Sequence, residues 1–366
     1  MRIVHTESSC AWGGQEIRVL SEMAGMMARG HELLLLCPEE ARIHGEAITR
    51  GVPVEALPIV KKRLPGILAM RRALKRLQPD VVVTHSSTDS WLAALATQFW
   101  GAAPPIVRIR HISAPVRQNA TTRWLYASAA ERIVTTGERL REELIRDLRL
   151  PPEQVVSIPT GIDLARYAPR DRSAARRQLG LPEGVPIVGI VATLRSWKGH
   201  RYLLDAFAQL SDKSAQLVVV GDGPGCDNLR RQAAELGIAE RFTMPGNQGD
   251  VVPWLAALDV FVLPSYANEG VPQAIMQAMA CGLPVVSTPV GAIPEIVADG
   301  VTGLLVPPRD TAALKDALAR LLGDVALRGR LADAALAQAR ERFAAGRMLD
   351  RMEAVFADVI AGRTGA

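Results

Sequence analysis

Between Ser265 and Pro308 the chain reads SYANEGVPQAIMQAMACGLPVVSTPVGAIPEIVADGVTGLLVPP, and few folds accommodate that rhythm. Short apolar runs alternate with helical patterns, and each switch from strand to helix carries Gly or Pro. The spacing predicts three βα units in this stretch alone. One switch carries an acid followed by glycine, Glu269-Gly270, at the mouth of a predicted helix. Free backbone N–H groups at a helix N-terminus attract phosphate, and a carboxylate beside them can hold sugar hydroxyls. The combination points to a nucleotide-sugar site.

The same alternation runs through the chain. In the first half, strands are predicted at Arg2–Thr6, Glu32–Cys37, Val54–Leu57, Val81–His85, Ile106–Arg110, Ile133–Thr136 and Val155–Ile158. Most are continuous β-branched runs, as expected where both faces of a sheet are covered. Helical patterns fall between them, near 15–28, 67–77, 90–99, 122–129 and 138–147. The polar, Arg/Asp/Pro-rich segment Asp163–Pro186 breaks the rhythm and reads as a linker with one short helix. A second series follows, with strands at 187–193, 217–221, 241–244, 260–264, 284–287 and 303–306. Its helices are predicted at 200–210, 228–236, 251–257, 272–280, 293–298 and 311–322. An Ala/Arg-rich helical tail runs from Val325 onward, with a break near Ala344–Gly346. The fold class is therefore α/β, with two facing Rossmann-like, doubly wound domains and a cleft between them as the default ligand site.

Composition narrows the function. A length of 366 residues is the usual size for two domains, and 48% hydrophobic content is ample for two cores. Aromatics, at 4%, are too scarce to lead the packing, which falls to Ala, Leu and Val. The net charge of +5 is mild, and no recognition motif accompanies it, so nucleic acid is not an expected partner. Cys10, Cys37, Cys226 and Cys281 are far apart, with no C-x-x-C pair and no His/Cys cluster. Disulfide and metal readings are weak, and a reducing compartment fits. The N-terminus runs straight into a strand, and no apolar run approaches the ~18 residues of a membrane span. The expected location is the cytoplasm, with a peripheral position at the inner membrane open.

Four loops carry chemistry. Trp12-Gly13-Gly14-Gln15-Glu16 opens the first helix; its glycines let backbone approach a ligand, or simply make a tight βα turn. Arg195-Ser196-Trp197-Lys198-Gly199-His200 sets two positive charges beside a helix start, which suits a diphosphate but also describes a solvated basic loop. Gly221-Asp222-Gly223-Pro224-Gly225-Cys226 lacks the third glycine of G-x-G-x-x-G and reads as a structural loop rather than a nicotinamide site. In the fourth loop, Glu269 precedes the helix and Gln277 lies one to two turns inside it, so both address one ligand along the helix N-terminus. Pro272 there removes a donor that would be unpaired anyway, while Gly270, Val271 and Gln273 retain theirs.

In this order the loops resemble the retaining glycosyltransferases of family 4, which have the GT-B fold. The matching pieces are GGQE, the PTGID of Pro159–Asp163, the LRSWKG of Leu194–Gly199, the VVVGDGP of Val218–Pro224 and the run EGVPQAIMQAMACGLPVVSTPVG. PTGID carries Thr160 where the family pattern has Asn. The resemblance covers nearly the whole chain. It implies an N-terminal acceptor domain over 1–165, a donor domain over 166–344, and a last helix, about 345–366, that returns to the first domain. It implies that Arg195 and Lys198 hold the donor diphosphate and that Glu269 touches the transferred sugar. The backbone from Gly270 through Val271 and Pro272 to Gln273 would cap the phosphates, and Gly13 and Gly14 would approach the donor from the other domain. His111, ending the VRIRH strand, matches the family's active-site histidine near the anomeric centre. Gln277 stands where the family has a second Glu for the ribose hydroxyls; it keeps one acceptor but loses the charge.

The expected reaction moves a sugar from a nucleoside-diphosphate sugar to a cell-envelope glycan or glycolipid such as lipopolysaccharide. The nucleotide sugar is a substrate, and no cofactor or metal is expected, since the chain has no Asp-x-Asp pair. Lys61–Pro79 holds seven basic and no acidic residues, interleaved with leucines. It suits an anionic membrane surface or is the solvated face of a Rossmann helix. Arg108, Arg110, Arg117 and Arg123 lie in an acid-poor stretch fit for a phosphorylated acceptor. A GT-B sugar-nucleotide epimerase, a non-catalytic sugar-nucleotide-binding subunit and a nicotinamide oxidoreductase are the competing readings.

Overall fold

A computed structural model describes residues 1–112 and 114–364. The chain forms two compact units: Met1–Gly161 together with the chain from Ala345 on, and Ile162–Ala344. The first division thus falls a few residues before the expected 165.

The first unit is a seven-stranded sheet of β1 (Arg2–Thr6), β2 (Glu32–Cys37), β3 (Val54–Ala56), β4 (Val81–Thr84), β5 (Ile106–Arg110), β6 (Arg132–Thr135) and β7 (Val155–Ser157). Their order is β3-β2-β1-β4-β5-β6-β7, and every pairing is parallel. The order reverses between β1 and β4, so this is where a doubly wound sheet opens a crevice at its carboxyl edge. β4, VVVT, is buried throughout because helices cover both faces.

The second unit repeats the plan with β8 (Ile187–Val191), β9 (Gln216–Val220), β10 (Phe242–Gly246), β11 (Val260–Leu263), β12 (Val285–Ser287) and β13 (Gly303–Leu305). Their order is β10-β9-β8-β11-β12-β13, with the reversal between β8 and β11. Pro245 sits in the edge strand β10, where a missing N–H is tolerated, and the register against β9 shifts there.

The helix Ala345–Thr364 packs into the first unit. Met348, Leu349, Met352, Phe356 and Val359 join one core with Ile3, Val19, Leu20, Met23 and Met26. The linker carries the single helix Arg172–Leu179, capped by the Asp171 side chain. Two elements differ from the sequence reading. A helix forms at Arg42–Thr49, where Arg, His, Gly and Glu obscure the apolar period. The expected helix at 293–298 is only a 3-10 turn, Ile293–Glu295; Ala298 N, which a continuing helix would turn toward the carbonyl of residue 294, donates instead to Thr302 Oγ1 at 2.9 Å. No helix among the described residues is long and apolar enough to cross a membrane.

Candidate functional site

In the second unit the loops leaving β8 and β11 meet across the point where the strand order reverses. Lys198 closes the 3-10 turn Ser196–Lys198 after β8. Glu269 lies in the loop after β11. The Lys198 ammonium donates to Glu269 Oε1 at 2.7 Å and to Oε2 at 3.0 Å. Ser265 Oγ donates to the same Oε1 at 2.5 Å. The Glu269 side chain is only 4% exposed and that of Lys198 19%. A carboxylate so buried is tolerable because an ammonium and a hydroxyl satisfy it. The sequence reading gave these residues separate tasks; the structure puts them in contact.

Close backbone packing holds the two loops together. Tyr266 N donates to Trp197 O at 2.8 Å. Gly199 has φ +78°, and a Cβ on it would lie 2.0 Å from Pro264 O. Gly291, at φ +59°, lies so close to the Glu269 loop that a Cβ would fall 2.0 Å from Glu269 O. Only glycine permits both approaches.

The other candidates of the second unit lie on the same two loops and on the helix that follows. Arg195 is exposed, with its guanidinium 5.8 Å from the Trp197 ring centre. The helix Gln273–Ala280 begins after Pro272, which offers it no side-chain cap. Gly270, Val271 and Pro272 lead into that helix, and Gln277 is half-buried on it. Ser265 and Tyr266 escaped the sequence reading, as did Arg309, whose guanidinium stacks 4.3 Å over Tyr266. The Gly221–Cys226 loop serves as scaffolding. Leu194 N donates to Asp222 O and Gly225 N to Leu194 O, so it supports the LRSWKG turn. His200, buried behind Lys198, is pushed down to about 4 by burial, with the Lys198 charge adding to the effect.

In the first unit, Gly13 and Gly14 open the helix Gly14–Ala28. Behind them lies a buried polar network that the sequence reading missed. Gln15 Nε2 donates to Glu7 Oε2 at 2.5 Å and Ser9 N to Oε1 at 2.8 Å; Ser86 Oγ also donates to Glu7. Asp89 accepts from His85 N at 2.8 Å, Ser86 N at 2.9 Å and Thr6 Oγ1 at 2.9 Å. Burial, then the neighbouring Asp89 charge, raises the Glu7 carboxyl to about 8. Burial raises Asp89 to about 6. The Ser86-x-x-Asp89 capping box was the one local signal for this cluster.

His111 follows β5 and is 9% exposed. Its Nε2 lies 3.0 Å from His85 Nδ1. Nearby, Arg108 is buried and stacks 4.3 Å over Tyr126, with Nε and Nη1 lacking partners among the described residues. Lys62 donates to Ser87 Oγ at 3.1 Å. Its ammonium pKa is lowered by burial and by the charges of Arg108 and Arg117. These cations are therefore close enough to repel one another.

Comparison with known proteins places the chain. The model described as Glycosyltransferase Family 4 matches residues 12–166, and that described as Glycosyl transferases group 1 matches residues 185–324. A D-inositol 3-phosphate glycosyltransferase of Actinosynnema mirum is 30% identical, with 90% of this chain and 88% of that protein aligned. Among solved structures, a glycosyltransferase of Rickettsia africae superposes with a TM-score of 0.89 at 19% identity, over 98% of each chain. Anabaena Alr3699/HepE in complex with UDP-glucose does so with a TM-score of 0.86 at 23% identity, over 98% of this chain and all of that one. Two parallel doubly wound units of this kind have the GT-B fold. The chain belongs to glycosyltransferase family 4 and is an enzyme of the transferase class.

Proposed function

We propose that this glycosyltransferase moves a sugar, with retention, from a nucleoside-diphosphate sugar to a phosphorylated glycan or glycolipid of the cell envelope, lipopolysaccharide being one example. The observation that carries the donor half is the Lys198–Glu269 pair at the strand-order reversal of the second unit. An ammonium and a carboxylate side by side, beside a helix start to which Pro272 offers no side-chain cap, match a ligand that is anionic at one end and hydroxyl-rich at the other. The UDP-glucose bound by the Anabaena neighbour is such a ligand.

In this reading Arg195, Lys198 and the backbone from Gly270 to Gln273 hold the diphosphate. Glu269 accepts from sugar hydroxyls, and Gln277 addresses the ribose. Gly13, Gly14 and His111 are the first unit's contribution. The anomeric C–O bond breaks as the acceptor oxygen attacks from the same face. The acceptor proton passes to the leaving phosphate oxygen. Charge developing on the diphosphate is met by donors already in place, so the reading calls for no metal.

Two observations support the acceptor side. Lys62, Arg108 and Arg117 gather positive charge in the first unit, and the Actinosynnema relative is named for a phosphorylated substrate. The helix Leu64–Leu77 also exposes Leu64 at 66% and Leu68 at 43% among its basic residues. Arg71 on it donates to Ala96 O and Gln98 O, next to Phe99, which is 96% exposed. Apolar side chains among cations suit peripheral binding to an anionic bilayer from the cytoplasmic side.

A thermal-shift series with UDP-, GDP-, ADP- and CMP-linked sugars tests the donor. A ligand at a hundred times its Kd stabilises by about 2.7 kcal/mol. One base should stand out, and that donor should be hydrolysed slowly without acceptor. Conversion of the donor to its epimer, or binding with no release of nucleoside diphosphate, would overturn the transferase reaction. Equal, negligible flotation with anionic and neutral vesicles would sink the membrane proposal.

A further inference from the structure

Three imidazoles line up at the carboxyl ends of β1, β4 and β5. His5 Nδ1 lies 2.9 Å from His85 Nε2, and His85 Nδ1 lies 3.0 Å from His111 Nε2. The His5 and His85 rings stack at 5.1 Å, and those of His85 and His111 tilt at 5.3 Å. All three are buried. Burial pushes His5 down to about 3 and holds His85 and His111 well below the ordinary imidazole range; the charges of Arg18 and Arg110 add to this at His111. The rings are therefore neutral near pH 7.

Neutrality makes the chain all-or-none. Each neutral ring carries one N–H, and each hydrogen bond between rings takes one proton. His85 serves two bonds with a single proton. If it donates through Nε2, it must accept at Nδ1 from His111, and all three rings are Nε2–H. If it donates through Nδ1, it must accept at Nε2 from His5, and all three are Nδ1–H. Any mixture leaves one bond with two protons or with none. The far end decides between the two. His5 Nε2 is buried and has no hydrogen-bond partner among the described residues. A proton there would make an orphaned buried donor, which folded proteins tolerate less well than an unused acceptor.

We propose that His85, backed by His5, is a positioning residue that holds His111 in its Nδ1–H form, so that His111 meets the substrate as a neutral donor and not as a base. This rests on the reading of His111 as an active-site residue. With Nε2 engaged by His85, Nδ1 is the only ring nitrogen His111 has to offer, and it is already protonated. A neutral N–H directed at a hydroxyl or at a developing oxygen charge polarises it without taking up the acceptor's proton. That proton must leave by another route, and the departing phosphate oxygen supplies one.

Long-range 1H–15N spectra of the full chain, labelled at histidine and recorded near pH 7, report each tautomer directly. Resonances are assigned from His5→Phe, His85→Phe and His111→Phe. The expected result is a protonated Nδ1 and a bare Nε2 at all three rings. An Nε2–H form at His111, a charged imidazolium, or opposite tautomers on neighbouring rings overturns the proposal. In His85→Phe the His111 ring should become a mixture of tautomers, and kcat for donor hydrolysis should fall roughly tenfold, as for one lost hydrogen bond, with KM little changed. A His111 tautomer unmoved by His85→Phe also overturns it. The spectrum needs no donor, so it stands or falls separately from the transferase reading.

Discussion

Gln277 stands where the family resemblance leads one to expect a second Glu, and the proposed ribose contact has a measurable sign. A neutral amide accepts hydroxyl hydrogen bonds more weakly than a carboxylate, by about 1 kcal/mol per bond. Gln277→Glu should therefore tighten the nucleotide donor about fivefold in a calorimetric titration. Unchanged affinity would mean that the side chain does not reach the ribose. The residue scale is also where sequence reasoning was least complete. Lys198 and Glu269 were both legible as candidates because each sits at a strand-to-helix switch. Their ion pair was not, since 71 residues separate them and no local pattern encodes a contact over that distance. His5, His85, Glu7 and Asp89 were overlooked for the same reason. Each looks like an ordinary strand-end or cap residue until parallel pairing sets the strands side by side.

At the scale of elements, the turn after β8 matters more than the charges it carries. Its conformation depends on Gly199, whose backbone is left-handed and lies against Pro264. Gly199→Ala adds a methyl group where there is no space and a strained φ. The expected outcome is a loss of more than 1 kcal/mol in urea unfolding. A drop in donor affinity should accompany it, because the Lys198–Trp197 turn must move. A variant with wild-type stability and affinity would show that the turn has slack. The strands were easy to read because both sheet faces are covered, so β11 is an unbroken apolar run and β4 is three valines closed by a buried threonine. Helix Arg42–Thr49 was hard to read because only Ile43 and Ala47 are buried on it. The turn at Ile293–Glu295 was overread because its apolar period is real, while Ala298 N is taken by the Thr302 hydroxyl and the helical ladder ends there.

For the molecule as a whole, the buried groups of the first unit set a pH window. Glu7 is raised from 4.5 to about 8 and Asp89 from 3.8 to about 6, so the fold keeps protons that the unfolded chain has released. Their contribution is complete at low pH and is lost as pH rises through 6 and then 8. His5 is lowered from 6.5 to about 3, so its contribution is complete above 6.5 and is lost as pH falls toward 3. His85 and His111 are lowered in the same sense as His5, and with them the opposing slopes place the stability maximum in the mildly acidic range. Hydrogen exchange of the β1 and β4 amides should show protection falling from pH 6 to 8, and Glu7→Gln should flatten that limb. An unaltered slope would mean that Glu7 is ionised throughout.

The route of the chain has a further consequence. The second unit is spliced into the first: Ile162–Ala344 leaves and returns before helix Ala345–Thr364 supplies Met352 and Phe356 to the core begun by Ile3 and Val19. Domains made at the N-terminus usually fold first during synthesis. Here that order is inverted. The second unit has all its strands in hand while the first still exposes the apolar face that helix Ala345–Thr364 will cover. On the ribosome, the half that begins first must finish last, and its open core is the surface a chaperone would find.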